Sequence, residues 1–477
     1  GGGGGKEGGG GGKEGGEVEG GRQAKTIQKA IGHVLFRAIM QCEDAEKLSK
    51  LVIARIQDFD PQAVSTAFFR LAVFLERSSL PFKLPSDAHS NPTVAIDVLS
   101  IRALLQIEEA SVLDPSEISL TLWALARLHA PNAQLLEALG EQLLLSLPYF
   151  SPEDLSSTME AATRLPMLQE AHVCTLLAEQ SAAQAPQFTA PLLTVALAHL
   201  PLLRLHLLSP SLLPALSRRA LALASDFPPS AIPQVLFSLA SVGSVEQPPQ
   251  LSLVLALCAA LESRVHDLTP KDMAVLLAAL GQPLLRDATH ALPLLRPLLL
   301  LAAHRAPSFG PPEAAQCLTG IARVRREMRA DERGAVAVLA DRVGSTVAAL
   351  QADLLPGVLW ALCVLHQREA VPVHILDTVC TQCAHTVAEE LSPDTLLVLL
   401  SILPSLPPQI DDHALALLLR ALTQSALATR LHHLHPERVQ AVLERLQTLA
   451  HRPEVQELVA VLQRQLPLEG GGSGEGE

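Results

Sequence analysis

Ten times along the chain an apolar residue opens the same local pattern. The ten are Phe59, Leu113, Phe150, Phe188, Phe227, Leu268, Phe309, Leu350, Leu391 and Leu434. Nine positions after each comes another apolar residue: Phe68, Leu122, Met159, Leu197, Leu236, Leu277, Leu318, Leu359, Leu400 and Leu443. Offset +5 (Val64 to Val439) and offset +12 (Leu71 to Leu446) behave the same way, so thirty of thirty positions are apolar in a chain of 48% hydrophobic content. Chance does not give that. Spacings of four and then three place the residues on one face of a helix, so each unit carries a buried helical stripe.

The openings are helix starts. Asp60-Pro61, Asp114-Pro115, Ser151-Pro152, Thr269-Pro270 and Ser392-Pro393 each put a side-chain acceptor before a proline. The acceptor takes the first free backbone N–H groups, and proline fits the first helical position, where an N–H is not needed. Acids such as Asp154, Asp272 and Glu313 follow in the first turn, at the positive end of the helix dipole. A break such as His129-Ala130-Pro131 separates this helix from a second amphipathic run, Leu135, Leu136, Leu139, Leu143 and Leu144.

One hairpin cannot bury its stripe alone and must stack on its neighbours. The expected fold is therefore all-α, an α-solenoid of about ten helix–turn–helix repeats at 37–43-residue spacing. The first spacing is 54, which implies a loop insertion near residues 81–92. Residues 1–22 and 469–477 are Gly-rich and are expected as flexible tails flanking an array over 23–468, with 23–41 as an N-terminal capping helix.

Composition narrows the function. The net charge is −13, and with −1 in the first tail and −3 in the last the array carries −9. A uniformly basic nucleic-acid footprint is excluded; a local basic patch is not. Beyond Lys83 the only lysine is Lys271, so positive charge on the array is almost all arginine, which suits bidentate phosphate contacts but also follows from a general bias towards Ala, Leu, Pro and Arg. Seven irregularly spaced cysteines do not form a secreted disulfide framework. Apolar runs such as Leu354–Leu365 are too short for a membrane span, which needs about 20 residues. The chain begins with Gly rather than Met, so a native start upstream is expected and no targeting peptide is read from it.

The stretch Leu113 to Leu147, centred on Leu122-Trp123-Ala124-Leu125-Ala126-Arg127-Leu128, resembles the octotricopeptide and heptatricopeptide repeats of organellar RNA-binding proteins. Leu359-Trp360-Ala361-Leu362 repeats the same core, and the resemblance extends over Asp44 to Pro467. It departs from the family in its later, longer repeats and in lacking a candidate basic C-terminal domain. The resemblance implies an α-solenoid associated with organellar transcripts or ribosomal RNA, and a mitochondrial or other organellar location.

Motifs for chemistry are few. Cys380-Thr381-Gln382-Cys383-Ala384-His385 lacks a second Cys/His pair for zinc and has Ala384 where a haem motif needs histidine, so two buried structural thiols are expected. His432-His433-Leu434-His435 and Asp411-Asp412-His413 read as loop and helix-start residues. No nucleophile elbow, phosphate-binding loop or H-E-x-x-H motif is present, so the expectation is no enzyme, no cofactor, no metal and no small-molecule substrate.

The RNA-binding candidates are Arg127, Arg164 and Arg323, all at offset +14, with Arg325, Arg326 and Arg329 beside Arg323. Arginines so placed can pair with phosphates, although cations near helix ends also answer the helix dipole. Trp123 and Trp360, both at offset +10, are expected to pack beside the stripe. Acids in the first turns argue against a one-base-per-repeat code. Two functions remain open: a non-catalytic RNA-associated solenoid in a large complex with structured or ribosomal RNA and neighbouring proteins, or a protein–protein scaffold without RNA contact.

Overall fold

The computed structural model describes residues 33–77, 91–109, 113–129, 132–242, 248–286, 293–324, 327–387, 392–428, 436–447 and 452–465. They are helical throughout, with no strand among the described residues. Both expected tails and most of the 81–92 insertion lie outside them. The last residue of that stretch, Pro92, opens a helix rather than ending a loop. Of the expected capping helix, residues 33–41 are described and helical.

Two compact units divide at Arg219 and Ala220. The first contains α1 (Ala45–Arg55), α2 (Pro61–Arg77), α3 (Pro92–Glu109), α4 (Pro115–Leu128), α5 (Ala133–Ser146), α6 (Pro152–Ala162), α7 (Ala171–Gln184) and α8 (Ala190–Leu203). The boundary falls within α9 (Leu212–Ala222). In this unit the first helices of successive repeats pack side by side, α2 on α4, α4 on α6 and α6 on α8; the second helices do likewise, α1 on α3 and α3 on α5.

The second unit holds α10 (Ile232–Val242), α11 (Pro248–Glu262), α12 (Pro270–Leu280), α13 (Leu295–His304), α14 (Pro311–Arg323), α15 (Ala330–Thr346) and α16 (Leu355–Gln367). It ends with α17 (Val373–Val387), α18 (Pro393–Ile402), α19 (Asp412–Ala428), α20 (Pro436–Leu446) and α21 (Pro453–Gln465). First helices again stack in order from α10 to α20, and second helices from α13 to α21. Each unit is thus a helical-repeat stack of the solenoid class.

The stripe is the core. All thirty residues at offsets +5, +9 and +12 are 3% exposed or less. Helix openings follow the expected chemistry: Ser151 Oγ accepts from the Asp154 N–H at 3.2 Å while Asp154 accepts from the Ser151 N–H at 3.0 Å. Thr269 and Asp272 repeat this reciprocal cap with the same two distances. Asp411 caps α19 by accepting from the Ala414 N–H at 3.0 Å.

Two glycines let α12 and α14 approach closely. A Cβ on Gly320 of α14 would sit 2.5 Å from the carbonyl carbon and oxygen of Leu277 on α12. One on Gly281 would sit 2.5 Å from the Gly320 oxygen. Backbone lies against backbone there, so neither position tolerates a side chain without moving a helix.

A second recurring device was hidden in the sequence. The opening residues among those described are buried, and in six of them the N–H is taken by the 3-10 turn before it, as in Phe150 to Leu147 O and Phe309 to Ala306 O, both 3.2 Å. That leaves the carbonyl inside the fold, where an unpaired acceptor is costly. In six repeats a long side chain from the second helix, or from the residue or two that follow it, reaches back to this carbonyl. Arg102 donates to Phe59 O from Nε and Nη2, each at 3.2 Å, and Gln106 adds a bond of 2.8 Å. Gln184 donates to Phe150 O (2.6 Å), Arg219 to Phe188 O (2.9 Å) and Arg264 to Phe227 O (3.2 Å). Arg305 donates to Leu268 O (2.6 Å), and Arg342 to Phe309 O through Nε (3.1 Å) and Nη2 (2.8 Å).

Candidate nucleic-acid interface

The arginines singled out in the sequence meet different fates. Arg127 ends α4 and is only 22% exposed. Its guanidinium is held by Glu76 of α2 and Glu160 of α6 and lies 5.0 Å over the Trp123 ring. It is satisfied by carboxylates from the repeats on either side. Arg164 follows α6 and is exposed, with its charge close enough to His199 of α8 to act on it. Burial holds the His199 imidazole below its ordinary pKa, with Glu160 opposing that and both arginines adding to it. The ring is therefore neutral at pH 7.

Arg323 ends α14, exposed, and forms no ion pair among the described residues. Arg329 stands at the start of α15, also exposed, where its backbone N–H donates to Glu332 at 2.9 Å. Arg333 on α15 is within 3.8 Å of Glu369. Arg325 and Arg326 lie outside the described residues, as do His432, His433 and His435. The candidates therefore fall into one group in the first unit and another in the second. Arg102, Arg219, Arg264, Arg305 and Arg342 are committed to backbone carbonyls.

Around Arg323 the second unit opens a cleft of about 520 Å³, lined by Gly281, Gln282, Ala322, Arg323, Trp360 and Arg368 with Pro283 and Val364. It crosses the C-terminal parts of α12, α14 and α16. Gly281 and Ala322 supply a floor with almost no side chain, and Gly281 is fixed by the close helix approach described above. Arg368 is positioned by a 2.8 Å bond from Nη1 to Val324 O, the last carbonyl after α14. Burial lowers the Arg368 pKa from a very high ordinary value, so it stays charged. Among the described residues, two guanidinium groups and a carboxamide line the cleft, with no carboxylate.

The two tryptophans at offset +10 differ in what lies against them. Trp123 is packed: Phe69 of the preceding repeat stacks on it with centroids 5.1 Å apart and planes at 37°. The residue corresponding to Phe69 in the repeat before Trp360 is Thr319, too small to cover an indole. Both indoles are half-buried, Trp123 under Phe69 and Trp360 in the wall of an open cleft. The difference is written in the +10 column of the sequence, one repeat upstream of each tryptophan.

The first unit has a groove of another kind. Leu136, Gly140, Leu144, Met167 and Val173 form an apolar surface between α5 and α7, with Glu137, Glu141 and Glu170 also lining it. Cys380 and Cys383 are buried within α17, and burial raises both thiol pKa values, Cys383 to about 12. Among the described residues no group of three His, Cys, Asp or Glu side chains is placed to hold a metal ion, and no helix is long and apolar enough to cross a membrane.

No curated protein matches this chain. Residues 94–247, about a third of its length and running from within α3 to just before α11, are similar to the family of the RNA-editing substrate-binding complex 6 protein, RESC6.

Proposed function

We propose that this chain is a non-catalytic, RNA-associated helical-repeat protein working inside a large organellar ribonucleoprotein. The observation that carries the reading is the match of residues 94–247 to a family named for an RNA-editing substrate-binding complex. An organellar location, mitochondrial first, follows from that family together with the octotricopeptide-like repeats. Within this reading it holds RNA and neighbouring proteins rather than transforming either. A mitochondrial ribosome component or assembly factor is the specific form we favour, with ribosomal RNA as the ligand. The exposed guanidinium groups of Arg164, Arg323 and Arg329 suit phosphate contact, and Arg325 and Arg326 add to the local charge in sequence.

The test is purification of the endogenous protein with and without nuclease, followed by sequencing of bound RNA and identification of bound proteins. RNA enriched over a mock purification is expected, with ribosomal sequences foremost. In filter binding, the triple change Arg325→Glu, Arg326→Glu, Arg329→Glu should weaken affinity and flatten its dependence on salt, by about 0.7–0.9 in log–log slope per lost contact. A second reading, a protein scaffold without RNA contact, is favoured by the acidic, apolar groove between α5 and α7 and by the net charge of −13. That reading expects no enriched RNA and a protein set indifferent to nuclease.

A further inference from the structure

We propose that the cleft of α12, α14 and α16 binds one unpaired RNA nucleotide, its base stacked on Trp360 and its phosphate on Arg323. The proposal rests on the RNA-associated reading and names the site through which that reading operates.

The stacking partner is argued from the protein's own precedent. At offset +10 the repeat geometry brings an aromatic ring from one repeat onto the tryptophan of the next, as Phe69 lies on Trp123 at 5.1 Å. In the second unit the same column reads Thr319 and then Trp360, and α14 and α16 are close there. A Cβ on Gly357 would sit 3.5 Å from the Thr319 methyl. No aromatic ring stacks on Trp360 among the described residues; the indole instead lines a cleft of about 520 Å³, within the span of roughly 300–1,000 Å³ typical of small-ligand sites. Base-on-aromatic stacking is the common mode of unpaired RNA recognition.

Charge selects the ligand. The chain carries 49 acidic against 36 basic residues, yet among the described residues no acid lines this cleft, whereas three glutamates line the groove of the first unit. Helices α12 and α14 also end here, and their carbonyl ends oppose an anion. One of those carbonyls, Val324 O, is taken by Arg368. Arg323 remains exposed, without a carboxylate partner among the described residues, as the cation to meet a phosphate. Gln282, half-buried at the rim, offers both a donor and an acceptor to a base edge.

The chain has only two tryptophans, which makes the site directly readable. In the full chain carrying Trp123→Phe, emission reports Trp360 alone. Titration with an unstructured oligouridylate should quench it saturably, with a midpoint matching filter binding of the same oligonucleotide. Trp360→Ala and Arg323→Glu should each weaken binding by about five-fold or more, the lower end for loss of one stacked base. If Trp123→Phe loses its helical ellipticity, the unmodified chain is titrated instead, with Trp360→Phe as the reference for signal lost. Filter binding with unchanged Trp360 emission and unchanged affinity in both cleft variants overturns the cleft assignment and leaves the RNA-associated reading standing. Absence of filter binding to this oligonucleotide and to RNA recovered with the endogenous protein overturns both.

Discussion

Arg342 and Arg296 are both second-helix arginines in the second unit, and the structure assigns them very different weights. Arg342 sends Nε and Nη2 to the carbonyl of Phe309, at 3.1 and 2.8 Å, and no other donor among the described residues serves that carbonyl. Arg296 pairs with Asp331 at 2.6 Å, but the two side chains are 50% and 37% exposed. Arg342→Met keeps an unbranched apolar stem, removes a charge-assisted bond and leaves a shielded carbonyl unmet, a loss of about 1.5–3 kcal/mol. Arg296→Met removes a solvent-screened pair and should cost much less. Because repeats couple mainly to their neighbours, the effect belongs to one region rather than to a single global transition. Amide hydrogen exchange reads it there: opening of the repeat from Phe309 to Val347 should become roughly ten- to a hundred-fold easier in Arg342→Met, 1.4 kcal/mol being a factor of ten. Equal protection in the two variants, or a larger loss in Arg296→Met, would refute the idea that these arginines hold the repeats together.

Two further perturbations test the core and the caps. Leu239→Asp puts an unpaired carboxylate at an offset +12 position that is 2% exposed, and should cost several kcal/mol, with exchange protection failing first in α10 and α12. Wild-type protection there would place Leu239 outside the core. Glu117, whose carboxylate accepts from the Asp114 N–H at the start of α4, has its pKa raised by burial from 4.5 to about 7. The folded state therefore binds a proton that the unfolded state releases between those values, so stability falls as pH rises from about 4.5 to about 7. Glu117→Gln keeps an acceptor at that position and should stabilise the protein at pH 8 and flatten this slope in urea unfolding. An unchanged slope would show that Glu117 is not its source.

The sequence carries the first-helix register in full, because each offset is a local, periodic fact and burial of that face is the reason it repeats. The reciprocal caps at Ser151 and Thr269 were legible for the same reason. The carbonyl clamps were not, since they join residues 31–47 positions apart and an arginine alone does not announce its acceptor. The same ambiguity attended Arg127, whose partners Glu76 and Glu160 belong to the repeats before and after it. Trp360 is the instructive case. Its stripe offset is that of Trp123, and only comparison with the residue one repeat earlier, Phe69 in one instance and Thr319 in the other, separates an indole stacked by an aromatic ring from one that is not.

The clamps also bear on how such a chain can change over generations. Each joins a carbonyl and a side chain encoded within one repeat, so duplicating or deleting a whole repeat carries donor and acceptor together and leaves no orphan behind. Apolar faces, being alike from repeat to repeat, accept the new neighbour. The contact of Gly320 with Leu277 is an exception, because it is a fit between two particular repeats with no room for a side chain. Gene rearrangements are therefore expected to preserve that junction and to vary repeat number elsewhere.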